Sequence, residues 1–389
     1  MRNRGLLLIL FLYCVLFSEA RNIQSVPPIS DNLSVTVNDD NTLSFYYCGP
    51  AKRVSVQSNL LYRKAETSRH AKHIRRLKMH KHDDGCFHVT TPPVCPEAYT
   101  YCFRINGKRQ TDLLNNDTAW LKLHKWNVIS VGGSEQANLY LYPKRQGELI
   151  RTKWYSTEEK IFRRVSIYLP AAYMEDQSND VQGTKTGYPV LYLIHGINGY
   201  EGSWVEQGRA IQVLENLVAH GKLEPVILVM PDCNVGPHED KPSHHTLWNN
   251  IMHYSRLQHD HRIERAVGEL MTMVDTTYRV SDKKAIAGLS DGARIAANVA
   301  NNHPNTFTAV GMFSPVVHKS QLPCDTCSAT QYYIYIGKQD LFYLNGKRFY
   351  KNLSNQERNT TALSSSVGGH NWRYWRRNFT DFISLIFAK

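Results

Sequence analysis

A chain of 389 residues exceeds the roughly 250 that one hydrophobic core ordinarily holds, so two cores are expected. With 42% hydrophobic and 21% charged residues, wholesale disorder is excluded. The net charge of +12 sits largely in one stretch, Arg63 to Lys81, without a recognition module or stacking aromatics around it, which excludes nucleic acid as the partner.

That stretch reads as a solvated basic insertion whose field would attract acidic polysaccharide or a cell surface. His70, His73, His80 and His82 within it read as surface histidines rather than ligands. At the N-terminus, Met1-Arg-Asn-Arg is followed by an apolar run from Leu6 to Phe17 and by Ser18-Glu19-Ala20. Charged, apolar and small residues in that order form a secretory signal over residues 1–20, and the cleaved chain is then secreted, extracellular or periplasmic. The apolar run is too short for a membrane span of about 20 residues, and no later segment comes close. Once Cys14 leaves with the signal, Cys48, Cys86, Cys95, Cys102, Cys233, Cys324 and Cys327 remain, an odd set that leaves at least one thiol unpaired in a monomer. Cys95 with Cys102 and Cys324 with Cys327 are the local disulfide candidates. Cys324-Asp-Thr-Cys327 has no second pair at zinc spacing, so no metal is expected there.

Residues 33–120 read as short strands separated by turns. Val35-Thr-Val, Leu43-Ser-Phe-Tyr-Tyr, Val54-Ser-Val-Gln, Cys86-Phe-His-Val and Tyr99 to Ile105 are the strands, and Asn106-Gly107 is a strong hairpin turn. This pattern predicts an all-β sandwich over 21–125, with 126–154 as a linker. From Val165 onward, apolar strand-like runs alternate with helical spans, with strands at Val190 to Ile194, Val226 to Met230, Lys284 to Ala287, Ala309 to Phe313 and Tyr332 to Ile336. Helices are read over Ala210–His220, Arg262–Tyr278, Gly292–Asn301 and Trp375–Phe387. The alternation predicts an α/β domain over 155–389, a mostly parallel sheet with helices on both faces.

Within that domain Gly288-Leu289-Ser290-Asp291-Gly292 stands between a strand and a helix. A chain that turns so sharply needs small flanking residues, and it presents the serine hydroxyl as a nucleophile. Serine needs a base, and the base needs an acid to hold its tautomer; in the α/β-hydrolase order these follow as acid, then His. Asp340 is the acid that directly follows a predicted sheet strand, at the edge where sites gather. His370, in Val367-Gly-Gly-His-Asn-Trp372, is the base; His303 and His318 break the expected order or position. Oxyanion donors are expected at the backbone N–H of Asp291 and, in the loop His195-Gly-Ile-Asn-Gly199, at Gly196 and Ile197.

Tyr192-Leu-Ile-His-Gly-Ile-Asn-Gly, Ser203-Trp204, Gly221-Lys-Leu-Glu-Pro-Val-Ile-Leu-Val, Pro231-Asp-Cys-Asn, Ala287-Gly-Leu-Ser and Gly368-Gly-His-Asn-Trp-Arg-Tyr-Trp375 together resemble the first carbohydrate-esterase family, that of bacterial feruloyl and acetylxylan esterases. The β-rich part, through Asp83-Asp-Gly85, Tyr99-Thr-Tyr and Ile105-Asn-Gly-Lys, resembles the immunoglobulin-like, glycogen-binding-related modules that precede such esterases. The resemblance implies a Ser290, Asp340 and His370 triad that removes acetyl or feruloyl groups from arabinoxylan of plant cell walls, without metal or cofactor. Trp204, Trp372 and Trp375 are then candidate sugar-binding residues, although core packing explains a Trp as often. Two positions depart from the family pattern. Asp291 stands where the family usually has Met, and Asn198 where it usually has Gly; a carboxylate pointing into the oxyanion hole would oppose the developing charge. Other readings are a carbohydrate-binding protein on a decayed hydrolase scaffold, and an acyltransferase to a sugar acceptor.

Overall fold

The computed structural model describes residues 34–60, 75–121, 124–178, 187–234, 261–316, 330–354, 360–362 and 368–389. Residues 1–20, read from sequence as a secretory signal, Cys324, Cys327, His70, His73 and most of the basic stretch lie outside them.

The N-terminal unit is built from ten strands: β1 (Val35–Val37), β2 (Leu43–Tyr47), β3 (Val54–Ser58), β4 (Arg75–Lys78), β5 (His80–Lys81), β6 (Phe87–Thr90), β7 (Glu97–Ile105), β8 (Lys108–Gln110), β9 (Thr118–Leu121) and β10 (His124–Val131). They pair antiparallel into one sheet of order β1-β2-β6-β5 and another of order β4-β3-β7-β10-β9, with β8 on β7. Alternating residues from both sheets, among them Leu43, Phe45, Val54, Val56, Tyr101, Phe103 and Val131, fill one core between them. The β7–β8 hairpin turns at Asn106 and Gly107, both at positive φ (51° and 88°), as an Asn-Gly pair readily does.

The second unit is one eight-stranded sheet of order β11-β12-β14-β13-β15-β16-β17-β18. Its strands are β11 (Glu148–Ser156), β12 (Ile161–Leu169), β13 (Tyr188–Ile194), β14 (Ile227–Pro231), β15 (Val280–Leu289), β16 (Ala309–Phe313), β17 (Gln331–Tyr335) and β18 (Thr360–Ala362). From β14 to β18 neighbours run parallel; β11 and β12 add an antiparallel edge. The helices are α1 (Glu135–Asn138), α2 (Ala171–Ser178), α3 (Ser203–Glu206), α4 (Ala210–Ala219), α5 (Arg262–Thr277), α6 (Asp291–Asn302), α7 (Tyr343–Ser354) and α8 (Trp372–Ile386). Strand side chains alternate between two cores. Val190, Tyr192 and Ile194 of β13 pack with residues of α5 and α6, while Leu191 and Leu193 pack with residues of α4 and α8. Helices therefore cover both faces, and strands buried on both sides read as continuous apolar runs.

Residues 126–154, read from sequence as a linker, hold most of β10 and β11 instead. β10 completes a sheet of the first unit and β11 opens the sheet of the second. The polar alternation of Arg151, Lys153 and Tyr155 on a half-exposed edge strand hides that strand from a search for apolar runs. The disulfide also differs from the local expectation, since it joins Cys48 to Cys86, with Cys102 buried on β7. Cys95 and Cys102 flank the first half of β7, which extends about 3.3 Å per residue, so they stand too far apart to bridge.

The two units share buried charge. Arg376 of α8 donates through Nη2 to Glu97 of β7 at 2.9 Å and through Nη1 to the Gln207 carbonyl at 2.7 Å. Arg373 Nε lies 3.3 Å from the other Glu97 oxygen. Arg209 donates through Nη1 to Asp117 at 2.9 Å and through Nη2 to the Ser130 hydroxyl at 3.0 Å. Glu97, Arg209 and Arg376 are each at most 5% exposed, so these pairs are shielded from solvent screening.

Candidate active site

β15 ends at Leu289 and α6 begins at Asp291, which leaves Ser290 alone to make the turn. Its backbone sits at φ 55° and ψ −117°, a sparsely populated conformation for a non-glycine residue. The reversal brings backbone against backbone. A Cβ on Gly288 would fall 2.2 Å from the Gly292 carbonyl oxygen, and one on Gly292 would fall 2.3 Å from the His195 carbonyl oxygen. Both positions therefore require glycine, which is the physical content of the motif.

Parallel pairing of β15, β16 and β17 carries their C-terminal ends to one edge of the sheet. Asp340 follows β17 there, and the loop before α8 carries His370 to it; the two loops are joined where Gln339 N–H donates to the Gly368 carbonyl at 2.9 Å. The His370 ring nitrogen Nδ1 is 3.1 Å from Asp340 Oδ2, and Nε2 is 3.1 Å from Ser290 Oγ. Burial alone would raise the Asp340 carboxyl, but hydrogen bonds from His370, the Phe342 amide and the Ser314 hydroxyl hold it below the ordinary carboxylate range. An ionised Asp340 only accepts, so His370 carries its proton on Nδ1 and turns the Nε2 lone pair toward the serine hydroxyl. The ring is held between Phe342 and Trp375, with centroids at 5.2 and 4.9 Å.

The loop after β13 lies against Ser290, since a methyl on Gly196 would sit 3.2 Å from Ser290 Cβ. His195 fixes this loop. Its Nε2 accepts from Cys233 N–H at 2.9 Å, so Nδ1 bears the proton and donates to the Gly196 carbonyl at 2.7 Å. Gly199 N–H donates to the same carbonyl at 2.9 Å. A trans peptide directs its N–H opposite to its C=O, so the Ile197 N–H faces away from this anchored side. Asn234 ties the loop further, donating through Nδ2 to the Gly199 carbonyl at 2.6 Å. Asn198 adopts φ 64°, the left-handed conformation that glycine takes freely and asparagine tolerates, so the departure at this position keeps the loop's shape. The Asp291 N–H is in the first turn of α6, where backbone donors have no partner within the helix.

The Asp291 carboxylate turns along its own helix. Arg294 Nε donates to its Oδ1 at 2.8 Å, and Arg294 Nη1 donates to Glu264 of α5 at 2.9 Å. Asn298 donates to the same Glu264 oxygen at 3.0 Å. The acid beside Ser290 is thus paired and directed into the α5–α6 contact.

The three tryptophans differ from a sugar platform. Trp204 is 1% exposed and donates its Nε1 to the Ile194 carbonyl at 3.0 Å, inside the core. Its place in α3, where its ring meets Phe313 of β16 and Trp372 and Phe379 of α8, explains the burial. Trp375 is also buried and donates to the Ser314 hydroxyl at 3.0 Å. Trp372, half-buried, stacks edge-on against both. Ser314 is a site residue that no sequence signal marks. It stands at φ 51° at the end of β16, fully buried, between Trp375 and Asp340. Among the described residues, metal-ligating side chains gather at Asp84, Cys86 and His88 of the β unit, and not around Ser290.

A family model described as "Putative esterase" matches residues 156–384. An endo-1,4-beta-xylanase/feruloyl esterase of Xylanibacter ruminicola is 26% identical over 319 residues, 79% of this chain and 41% of that protein. An uncharacterized protein of Corynebacterium glutamicum is 23% identical over 246 residues, 54% of this chain and 53% of that protein. The chain thus spans about half or less of these relatives' lengths. Among solved structures, an enterochelin esterase of Shigella flexneri matches at TM-score 0.57 and 16% identity, covering 90% of this chain and 94% of that one, a likeness of fold that takes in both units. The family match spans more than half of the chain and every strand from β12 to β18, and on that ground the chain belongs to this family of esterases.

Proposed function

We propose that the chain is a secreted serine esterase that releases acetyl or feruloyl groups from acylated plant polysaccharide such as arabinoxylan. The observation that carries this reading is the row Ser290–His370–Asp340, with 3.1 Å at each link. In the proposed cycle His370 Nε2 takes the proton of the Ser290 hydroxyl as Oγ attacks the ester carbonyl. The proton then goes to the sugar oxygen as its bond to the acyl carbon breaks, releasing the sugar hydroxyl and leaving an acyl-serine. Water, deprotonated by the same nitrogen, attacks the acyl-serine and returns the free acid and Ser290. Asp340 holds the imidazole in one tautomer and stabilises the imidazolium. The N–H groups of Asp291 and Ile197, with Gly196 shaping the loop, are the proposed donors to the oxyanion, and pairing of Asp291 with Arg294 keeps its carboxylate from opposing that charge.

The substrate class rests on the name of the Xylanibacter relative, an endo-1,4-beta-xylanase/feruloyl esterase matched over 79% of this chain, and the two antiparallel sheets of the β unit fit an immunoglobulin-like companion module. Burial of Trp204 and Trp375 speaks against the stacking platform that a purely carbohydrate-binding protein would use. Acetylated and feruloylated xylan oligosaccharides, incubated with the purified chain and with Ser290→Ala, test the reading. Acid released only by the unsubstituted chain supports it, equal release by both removes Ser290 from the chemistry, and transfer of the acyl group to added sugar in preference to water would make the enzyme an acyltransferase.

A further inference from the structure

The outer face of the β4-β3-β7 sheet carries positive charge that ester chemistry leaves unused. Val54 and Val56 of β3, Leu77 of β4 and Phe103 of β7 pack in the sandwich core. Side chains alternate along a strand, so Ser55, Gln57, Arg76, Lys78 and Arg104 point to the opposite face. Strand pairing sets them in register. Lys78 stands opposite Ser55, Ser55 opposite Arg104, and Arg104 opposite Arg109 of β8. Arg76 stands opposite Gln57 in the next row of that face. With strands about 4.8 Å apart, the row from Lys78 to Arg109 spans about 14 Å.

None of these four cations pairs with a carboxylate among the described residues. Two arginines directly opposite on one face repel each other, and no acid offsets that repulsion. Their donors are also unspent, since Arg104 Nε and Arg109 Nη1 are buried without a hydrogen-bond partner. Both groups are nonetheless held in place: Arg104 Nη1 donates to Gln57 at 3.3 Å, and the Arg109 guanidinium lies 4.2 Å over the Trp126 ring. We propose that this face binds an extended polyanion, namely a polysaccharide whose sugars bear carboxylates, as uronic acids do.

The side chains select that partner. A planar guanidinium matches a carboxylate through two parallel hydrogen bonds. Ser55 and Gln57, set between the cations, offer a hydroxyl and an amide to sugar hydroxyls. A row of about 14 Å suits repeated charge along a chain better than one small anion. A membrane surface calls for apolar side chains that insert, whereas the side chains of this row are polar. Single-stranded nucleic acid calls for exposed rings on which bases stack, whereas Trp126 is 4% exposed beneath Arg109.

Calorimetric titration of the full chain with polygalacturonate tests the face, with neutral arabinoxylan, phosphatidylglycerol vesicles and duplex DNA as the other arms. Saturable binding to polygalacturonate is expected, weakening as NaCl rises from about 50 to about 500 mM because salt screens exposed charge. Arg104→Gln/Arg109→Gln should weaken it at least about tenfold. Lys351→Gln/Lys389→Gln, which removes the same charge from exposed positions of the other unit, should leave it unchanged. Lys78→Gln, at an exposed position, should weaken it severalfold with no effect on Tm. Ser290→Ala should bind as the unsubstituted chain does, so the result is independent of the esterase reading. Undiminished binding by the Arg104 and Arg109 double variant, equal affinity for neutral arabinoxylan, tighter binding to the vesicles or to DNA, or no saturable binding overturns the proposal.

Discussion

The Ser290 elbow and the His370 loop meet at a single hydrogen bond, yet they depend on the chain in opposite ways. The elbow is local. Five consecutive residues, with glycine at both ends, define its backbone, and the strand and helix on either side follow directly in sequence. The His370 loop is held from afar. It leads into α8, and α8 is fastened through Arg376 and Arg373 to Glu97, more than two hundred residues earlier and in the other unit. Arg376 also holds the Gln207 carbonyl, just beyond α3, the helix that follows the loop after β13. The β unit is therefore wired to two of the three segments that form the candidate site, while the Ser290 elbow is independent of it. A local motif survives wherever its own residues are kept; a nonlocal one can be lost by a change far from the chemistry.

Substitutions that separate the two kinds of dependence should differ in size. The largest effect is expected at Ser290→Ala, with kcat for a feruloylated oligosaccharide falling on the order of 10³-fold or more and KM little changed, measured by steady-state release of ferulate. Next comes His370→Ala, where loss of the base costs about 10²–10⁴-fold in kcat. Arg376→Met should come third. It leaves Glu97 buried with only Arg373 beside it, and denaturant unfolding should show a loss of about 3–5 kcal/mol. Its kcat should fall while Ser290 stays intact, and the double change Glu97→Leu/Arg376→Met should recover most of the stability, because removing both charges ends the desolvation cost.

A smaller effect is expected at Arg294→Met. The Asp291 carboxylate then loses its partner, and kcat should fall about tenfold through charge beside the oxyanion. Adding Asp291→Asn should restore turnover but not stability, since buried Glu264 keeps the Asn298 amide but has lost its guanidinium partner. The smallest effect concerns pH. Asp340 is held below its ordinary range, so its contribution to stability is present above about pH 4, the unfolded value, and is lost as pH falls through the lower folded value. The difference in Tm between the unsubstituted chain and Asp340→Asn should shrink from pH 7 to pH 3; a constant difference would show that the carboxylate's charge is not what the fold stabilises.

The same contrast decides what a reader of the sequence can see. Ser290 is marked by its glycines, and Asp340 and His370 by their order along the chain and by the strand and helix beside them. The eight-stranded sheet was legible from β13 to β17 because strands buried on both faces are apolar without interruption. β11 was not, since its exposed face interrupts the run with Arg151, Lys153 and Tyr155. Ser314 carries no local signal, because its role comes from Trp375 and Asp340, which arrive from other segments. The Cys48–Cys86 bridge joins the end of β2 to the start of β6 and depends on the pairing of those strands, which cysteine spacing does not encode. Trp204 illustrates the converse error: an aromatic side chain near the site names a residue type, while its burial is decided by the helices that close over it.

The central claim is that His370 makes Ser290 the chain's nucleophile, and covalent labelling reads it without choosing a substrate. An alkyl fluorophosphonate should modify the folded chain at a single site, located by peptide mass spectrometry to the segment containing Ser290, and His370→Ala should label far more slowly. Labelling elsewhere, or equal labelling rates with and without His370, would contradict the claim.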